Sequence, residues 1–267
     1  MKDKPAEIKL IISDIDGTLF SHKTNRVPQS SIDIIAKLQK QGIKVLLASG
    51  RSAYLIRKTG ILDFFTPDGL ITMNGANAIM NDKVIYRYPL PPESVNALIK
   101  FSKRLRFGLT LIEEQEGHIN MVDERVLVAH EKYGTRFPQP RTFPDEYDRV
   151  VYQAIAFCDE LDESLFLPHI QGCKTARWDE YAVDIMPKDS DKARGILAIC
   201  AYYDIEPKNV LAIGDALNDI EMLELAGIGI AMGNGRAETK AAADYVTDDI
   251  DEDGWAKAIE HLNLLKE

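Results

Sequence analysis

Two blocks in which short, wholly apolar segments alternate with amphipathic helical ones enclose a middle stretch, residues 81–187, where the alternation is lost. Strands that read as continuous apolar runs are buried on both faces, and helices between them set such strands parallel. In the first block the strands are KLIIS (9–13), KVLLAS (44–49) and GLITM (69–73). The helices are SSIDIIAKLQKQG (30–42), opening on Ser and closing on Gly42, and SAYLIRKTG (52–60). In the second block, helices are read at 191–205, 218–227, 236–243 and 254–263. Strands NVLAIGD (209–215), IGIAMG (228–233) and YVT (245–247) lie between them.

The middle stretch is patterned differently. AIMNDKVIYRY (78–88) sets Asn81-Asp82 between two β-rich runs, a hairpin signature. A helix over about 92–106, two strands around Gly117, a helix in DERVLVAHEKYG (123–134) and a strand in YDRVVYQAIAFC (147–158) follow. DESLFLPHIQG (162–172) reads as helix and TARWDEYAVDIM (175–186) as two short strands. The expected fold is therefore α/β. A Rossmann-like doubly wound parallel-sheet core, residues 1–80 and 188–267, is interrupted by an inserted α+β cap domain over 81–187.

Charge and cysteine content narrow the function. A formal net charge of −10 disfavours a nucleic-acid partner, and the densest basic stretch (Lys100, Lys103, Arg104, Arg106) reads as the wet face of one helix. No segment approaches the roughly 20 apolar residues a membrane span needs. The start, MKDKPAEIKLIIS, lacks an apolar signal core, and the three cysteines have no CxxC spacing. Cytoplasmic residence without a disulfide framework is expected.

Chemistry collects where strands end. SDIDGTL (13–19) follows the first strand and brings Asp14 and Asp16 out of the sheet through Gly17. In an open parallel sheet, sites form at the carboxyl ends of strands. A plain turn would also use Asp and Gly. A calcium loop would need its Gly later and a distant Glu that is missing here. IGDALND (213–219) follows a strand in the second block, and a helix cap accounts for one of Asp215, Asn218 and Asp219 but not for all three. Magnesium takes oxygen ligands from one or two carboxylates plus substrate phosphate, which Asp14, Asp16 and Asp215 can meet. Ser49-Gly50-Arg51 offers a hydroxyl and backbone N–H groups at a helix start, and Lys192 an ammonium that can offset phosphoryl charge.

DIDGTL, ASGR, Lys192 and GDALND, in this order, resemble the four motifs of the haloacid dehalogenase superfamily of phosphohydrolases. An insertion between the second and third is the place of a type II cap, and NGA (74–76) and AMGN (231–234) are similar to the Cof-type branch of sugar-phosphate phosphatases. The chain departs in having Ser49 where Thr is commoner and Ala193 where Gly is. Asp189 and Asp191 stand near Lys192 as competing partners. The resemblance implies a Mg²⁺-dependent phosphatase acting on a small phosphorylated metabolite. It makes Asp14 the nucleophile and Asp16 the general acid and base, with Asp14, Asp16 (through its carbonyl) and Asp215 on the metal. Ile15 and Gly50 through backbone N–H groups, Ser49, Lys192 and Asn218 would meet the phosphoryl group, and Asp219 would orient its neighbours. Glu113, His118, Asn120, Arg141 and Trp178 are candidates for substrate contact from the cap, each also explicable as an ordinary surface or interior residue. A phosphotransferase or mutase, a non-catalytic phospho-ligand sensor and a calcium-binding domain are the competing readings.

Overall fold

The computed structural model describes residues 7–132 and 135–265. Strand β1 (Leu10–Asp14) is buried at every position, as a strand covered on both faces must be. Helix α1 (Gln29–Lys40) starts one residue before the expected Ser30, behind Pro28, with no side-chain cap. The Ser30 hydroxyl instead donates to Asp253. Next come β2 (Lys44–Ala48), α2 (Ala53–Lys58) with Ser52 accepting from the Leu55 N–H, and β3 (Gly69–Thr72). The hairpin of β4 (Asn77–Met80) and β5 (Lys83–Arg87) turns through Asn81 and Asp82, both at positive φ, as an Asn-Asp turn favours.

The chain then enters a second compact unit, Tyr88–Ser190. It comprises α3 (Pro92–Leu105), β6 (Gly108–Ile112), β7 (Gly117–Ile119), α4 (Glu124–Lys132), β8 (Gln139–Pro140), β9 (Gln153–Phe157), α5 (Glu160–Phe166), β10 (Cys173–Asp179) and β11 (Ala182–Pro187). Its sheet runs β10-β11-β9-β6-β7-β8. The strand expected over 147–158 is confined to β9. Tyr147 and Val151 are buried in a non-strand approach, and such anchors mimic strand spacing. The helix expected over 162–172 ends at Phe166 and gives way to a 3₁₀ turn at Leu167–His169, where Pro168 has no N–H to continue it. The end of the 123–134 helix, residues 133 and 134, lies outside the described residues.

The chain returns to the first unit with α6 (Lys192–Tyr203), β12 (Val210–Gly214), α7 (Ile220–Leu225), β13 (Ile228–Ala231), α8 (Ala237–Ala242), β14 (Tyr245–Val246) and α9 (Gly254–His261). Its sheet order is β14-β13-β12-β1-β2-β3-β4-β5. The first six strands pair in parallel and the hairpin adds antiparallel at the edge. This hairpin corrects the expected boundary: β5 belongs to the core sheet, and the first unit runs to Arg87 and resumes at Asp191. The chirality of βαβ crossovers buries one cluster around Ile11, Ile35, Val45 and Ile259 and another around Leu10, Ile12, Ile71 and Ile196. β1 lies in mid-sheet between β12 and β2, so its carboxyl end and theirs form one edge. No helix among the described residues is long and apolar enough to cross a membrane.

Candidate active site

β1 ends on Asp14 and the chain turns at once, with the N–H groups of Leu19 and Phe20 donating to the Ile15 carbonyl at 3.0 and 2.7 Å. Gly17 sits at φ 83°, and a Cβ there would stand 2.6 Å from Asp215 Oδ2, so only glycine lets the two loops approach. Thr18 donates its hydroxyl to Asp215 Oδ1 at 2.7 Å, joining the loops after β1 and β12.

Lys192 opens α6 and is almost wholly buried. Its Nζ donates to Asp14 Oδ1 and to Asp219 Oδ1, each at 2.5 Å. Asp219 Oδ2 in turn accepts from the N–H groups of Asp215 and Ala216, both at 2.9 Å. The competition expected from Asp191 does not arise, because its carboxylate caps α6 by accepting from the Arg194 N–H at 2.7 Å. Asp189 accepts from the Tyr88 hydroxyl at 3.4 Å. The place of Lys192 is set by Gly75, at φ 82°, where a Cβ would lie 1.7 Å from the Asp191 carbonyl oxygen.

These carboxylates crowd a small volume in which Asp14 and Asp219 are buried and Asp215 partly so. Burial pushes the Asp14 carboxyl above its usual range; Lys192 pulls it back, and Asp219 and Asp215 push it up again. Burial also raises Asp215, against the Thr18 hydrogen bond. Burial draws the Lys192 ammonium down, but Asp14 and Asp219 more than reverse this and hold it above the ordinary lysine value. One lysine does not balance the acids around it. One carboxylate oxygen each from Asp14, Asp215 and Asp219 lies within 4.8 Å of the others. The donor set is all oxygen and short of positive charge, which fits a hard divalent cation.

Asp16 is turned differently. Its Oδ1 accepts from Arg51 at 2.6 Å and lies 2.8 Å from His22 Nε2. Ser49 is buried at the end of β2, its Oγ accepting from the Arg51 N–H at 3.1 Å. The Ile15 side chain lies in the core, leaving its backbone at the loop. Exposed Asn218 donates from Nδ2 to Asn74 Oδ1 at 2.9 Å, beside Gly50. The structure thus gathers Asp14, Asp215, Asp219 and Lys192 in one cluster and ties Asn218 to the Ser49–Gly50 loop through Asn74. Thr18, His22, Arg51 and Asn74 were not singled out from sequence. Thr18, Arg51 and Asn74 stand inside recognisable motifs, whereas His22 carries no such signal.

The second unit's candidates divide. Asn120 is structural: its side chain accepts from the Leu109 N–H at 2.7 Å and donates to Ser102 Oγ at 3.0 Å. Glu113 is buried and engaged by the Tyr147 hydroxyl at 2.5 Å and by Arg149 at 2.8 Å. His118 Nε2 lies 3.1 Å from Glu116, and Arg141 is exposed. Trp178 is also exposed, and its indole N–H donates to Asp184 Oδ1 at 3.0 Å. Burial lifts Asp184 to about 6, against hydrogen bonds from Trp178 and Gln153.

Residues 11–259 match the family model of the haloacid dehalogenase-like hydrolases. The chain belongs to this family. YkrA of Bacillus subtilis (strain 168) is 34% identical over 259 residues, covering 97% of this chain and 99% of that protein. BT1666 of Bacteroides thetaiotaomicron, described among the phosphatases of the superfamily, superposes with a TM-score of 0.85 at 30% identity, over 97% of this chain and 96% of its own. BT4131, described as a subclass IIB sugar phosphatase of the superfamily, has a TM-score of 0.79 at 33% identity, covering 96% of this chain and 99% of its own. The expected α/β fold and the expected class, a haloacid dehalogenase-type phosphohydrolase, both stand.

Proposed function

We propose that this hydrolase cleaves small phosphate monoesters, sugar phosphates among them, in a Mg²⁺-dependent reaction whose phosphoryl group passes through Asp14 on its way to water. The observation that carries the reading is the buried chain Asp14–Lys192–Asp219 beside Asp215, at the carboxyl ends of adjacent strands. A buried cluster of acids around one lysine serves no packing purpose, and because burying charge is costly such a cluster points to a functional site.

Asp14 and Asp215 would hold the ion together with the Asp16 carbonyl. Asp219, whose two oxygens are already engaged, would orient Lys192 and the loop after β12. Bound Mg²⁺ supplies positive charge that screens a carboxylate from an anionic ester. The Asp14 carboxylate attacks phosphorus as the bond to the leaving oxygen breaks, with Lys192 retained beside it. Asp16 protonates the leaving oxygen and later takes a proton from the water that cleaves the aspartyl phosphate, restoring Asp14. To act as an acid, Asp16 has to leave its pair with Arg51 and His22 and take up a proton. The Ser49 hydroxyl, the N–H groups of Ile15 and Gly50 and the Asn218 amide would face the equatorial oxygens, where a loose transition state needs support. The unit Tyr88–Ser190 would supply leaving-group selectivity. A phosphorylated metabolite and a cytoplasmic setting complete the reading.

The test is phosphate release from an aryl phosphate and a panel of sugar phosphates, with Mg²⁺ and then with chelator, and no added acceptor. Asp14→Asn is nearly isosteric and should fold, yet lose at least about 10³-fold in turnover because the covalent acceptor is gone. A variant keeping a tenth of wild-type release, or a wild type indifferent to chelator, would refute the reading.

A further inference from the structure

The turn after β3 holds three consecutive residues in the left-handed region. Met73, Asn74 and Gly75 stand consecutively at φ 51°, 50° and 82°, and a left-handed backbone is disfavoured for methionine. Such outliers persist where surrounding structure over-determines them, often at functional sites. Gly75 has its reason in the close approach of Asp191. Asn74 has another. Its N–H donates to the Ser49 carbonyl at 3.1 Å, and the Met73 N–H donates to the Arg51 carbonyl at 3.0 Å, so the turn is laced to the loop after β2. Its carboxamide lies over Gly50, where an added Cβ would sit 3.3 Å from both Nδ2 and Oδ1. Its Oδ1 accepts from Asn218 Nδ2 at 2.9 Å, across 144 positions of sequence.

We propose that Asn74 is a positioning residue of the phosphoryl site, its half-buried carboxamide fixing the Asn218 side chain against the Ser49–Gly50 loop. The inference rests on the phosphatase reading above for the roles of Asn218 and Gly50. Asparagine tolerates the left-handed region, so backbone conformation alone would explain a residue of this type here. It does not explain why the side chain is spent on Asn218. Exposed Asn218 has a flexible amide that, unheld, would sample several rotamers. A partner on a rigid turn removes that freedom before substrate arrives, and preorganisation of this kind counts directly in rate.

Asn74→Gly separates the two explanations, because glycine adopts the same backbone at no steric cost and lacks only the carboxamide. We expect a melting temperature near that of wild type and kcat on an aryl phosphate lower by about 10- to 100-fold, the scale of a misplaced positioning group. KM should change less. Asn218→Ala should lose a similar factor, and the double variant no more than the larger single loss, since the two side chains act as one unit. A second readout is independent of turnover: the side-chain amide resonance of Asn218, assigned by its disappearance in Asn218→Ala, should move in Asn74→Gly. A folded Asn74→Gly enzyme with wild-type kcat and an unmoved Asn218 amide would overturn the proposal, as would losses that simply multiply in the double variant. If wild type releases no phosphate yet the Asn218 amide moves in Asn74→Gly, the positioning contact stands and the phosphatase reading falls instead.

Discussion

Asp16 and Asp184 show how neighbours decide what a carboxylate does. Asp16 shares one oxygen between Arg51 and His22, so its proposed acid role depends on exchanging that pair for a proton. Asp16→Asn cannot donate to a leaving oxygen. It should cost far more on a sugar phosphate, whose alkoxide leaves poorly, than on an aryl phosphate. The ratio of the two rates is the measurement, and equal losses would reduce Asp16 to a structural or metal-linked role. Asp184 accepts from the Gln153 amide and the Trp178 indole and is lifted by burial to about 6. Its folded value lies above the unfolded one, so the folded state binds the proton more tightly. Stability from this group is full below about pH 4 and is lost as pH rises through 6. Asp184→Asn should therefore gain in melting temperature relative to wild type as pH goes from 5 to 8. A difference that stays constant over that range would show that Asp184 does not titrate there.

At the scale of elements, the site depends on the loops after β1, β2, β3 and β12 and on the start of α6, brought close where glycine leaves room. The start of α6 delivers Lys192 only because nothing projects from Gly75. Gly75→Ala would require a Cβ where the Asp191 carbonyl oxygen already is, on a left-handed backbone. Overpacking of this kind costs about 1–3 kcal/mol, and here the neighbour is backbone, which cannot rotate away. We expect a melting temperature lower by several degrees, and turnover reduced by more than tenfold even well below the melt, because moving α6 moves Lys192. A variant that melted early but retained full turnover at low temperature would separate the turn from the placement of Lys192. The helices beginning at Lys192 and Ile220 were readable from sequence. The use of Asp191 as the cap of α6, which frees Lys192 for Asp14, was not, since a flanking acid reads equally well as a partner for the lysine.

At the scale of the whole molecule, each unit buries its own apolar clusters. Leu98, Phe107, Ala154 and Val183 pack within Tyr88–Ser190, while Ile11, Val45, Leu211 and Ile259 pack within the other unit. Deleting 88–190 and joining Arg87 to Asp191 through a short flexible linker should leave a folded core, since a domain with its own core folds as a unit. The motif residues all remain. Weak metal-dependent release from an aryl phosphate should persist, with the spread of rates across sugar phosphates flattened, because contacts remote from phosphorus set selectivity. Far-UV circular dichroism and solubility come first. A folded deletion variant that kept the wild-type ranking would place selectivity in the core.

The sequence by itself determined the α/β class, the interruption of the core and the acids at the strand ends. Apolar periodicity is local, and a loop's place after a buried strand is local too. Asp14, Asp16 and Asp215 were legible for that reason. Tertiary structure alone decided the rest. Whether a polar side chain is spent inside the fold or left for a ligand depends on its partners, so sequence leaves Asn120 and Glu113 open between substrate contact and interior residue, whereas the fold gives their side chains Leu109, Ser102 and Tyr147 as partners. β5 belongs to the core because its hairpin partner β4 pairs with β3, and a hairpin signature does not say which sheet the hairpin joins. Thr18 on Asp215, Arg51 on Asp16 and Asn74 on Asn218 join residues 197, 35 and 144 positions apart, distances that only the folded sheet closes.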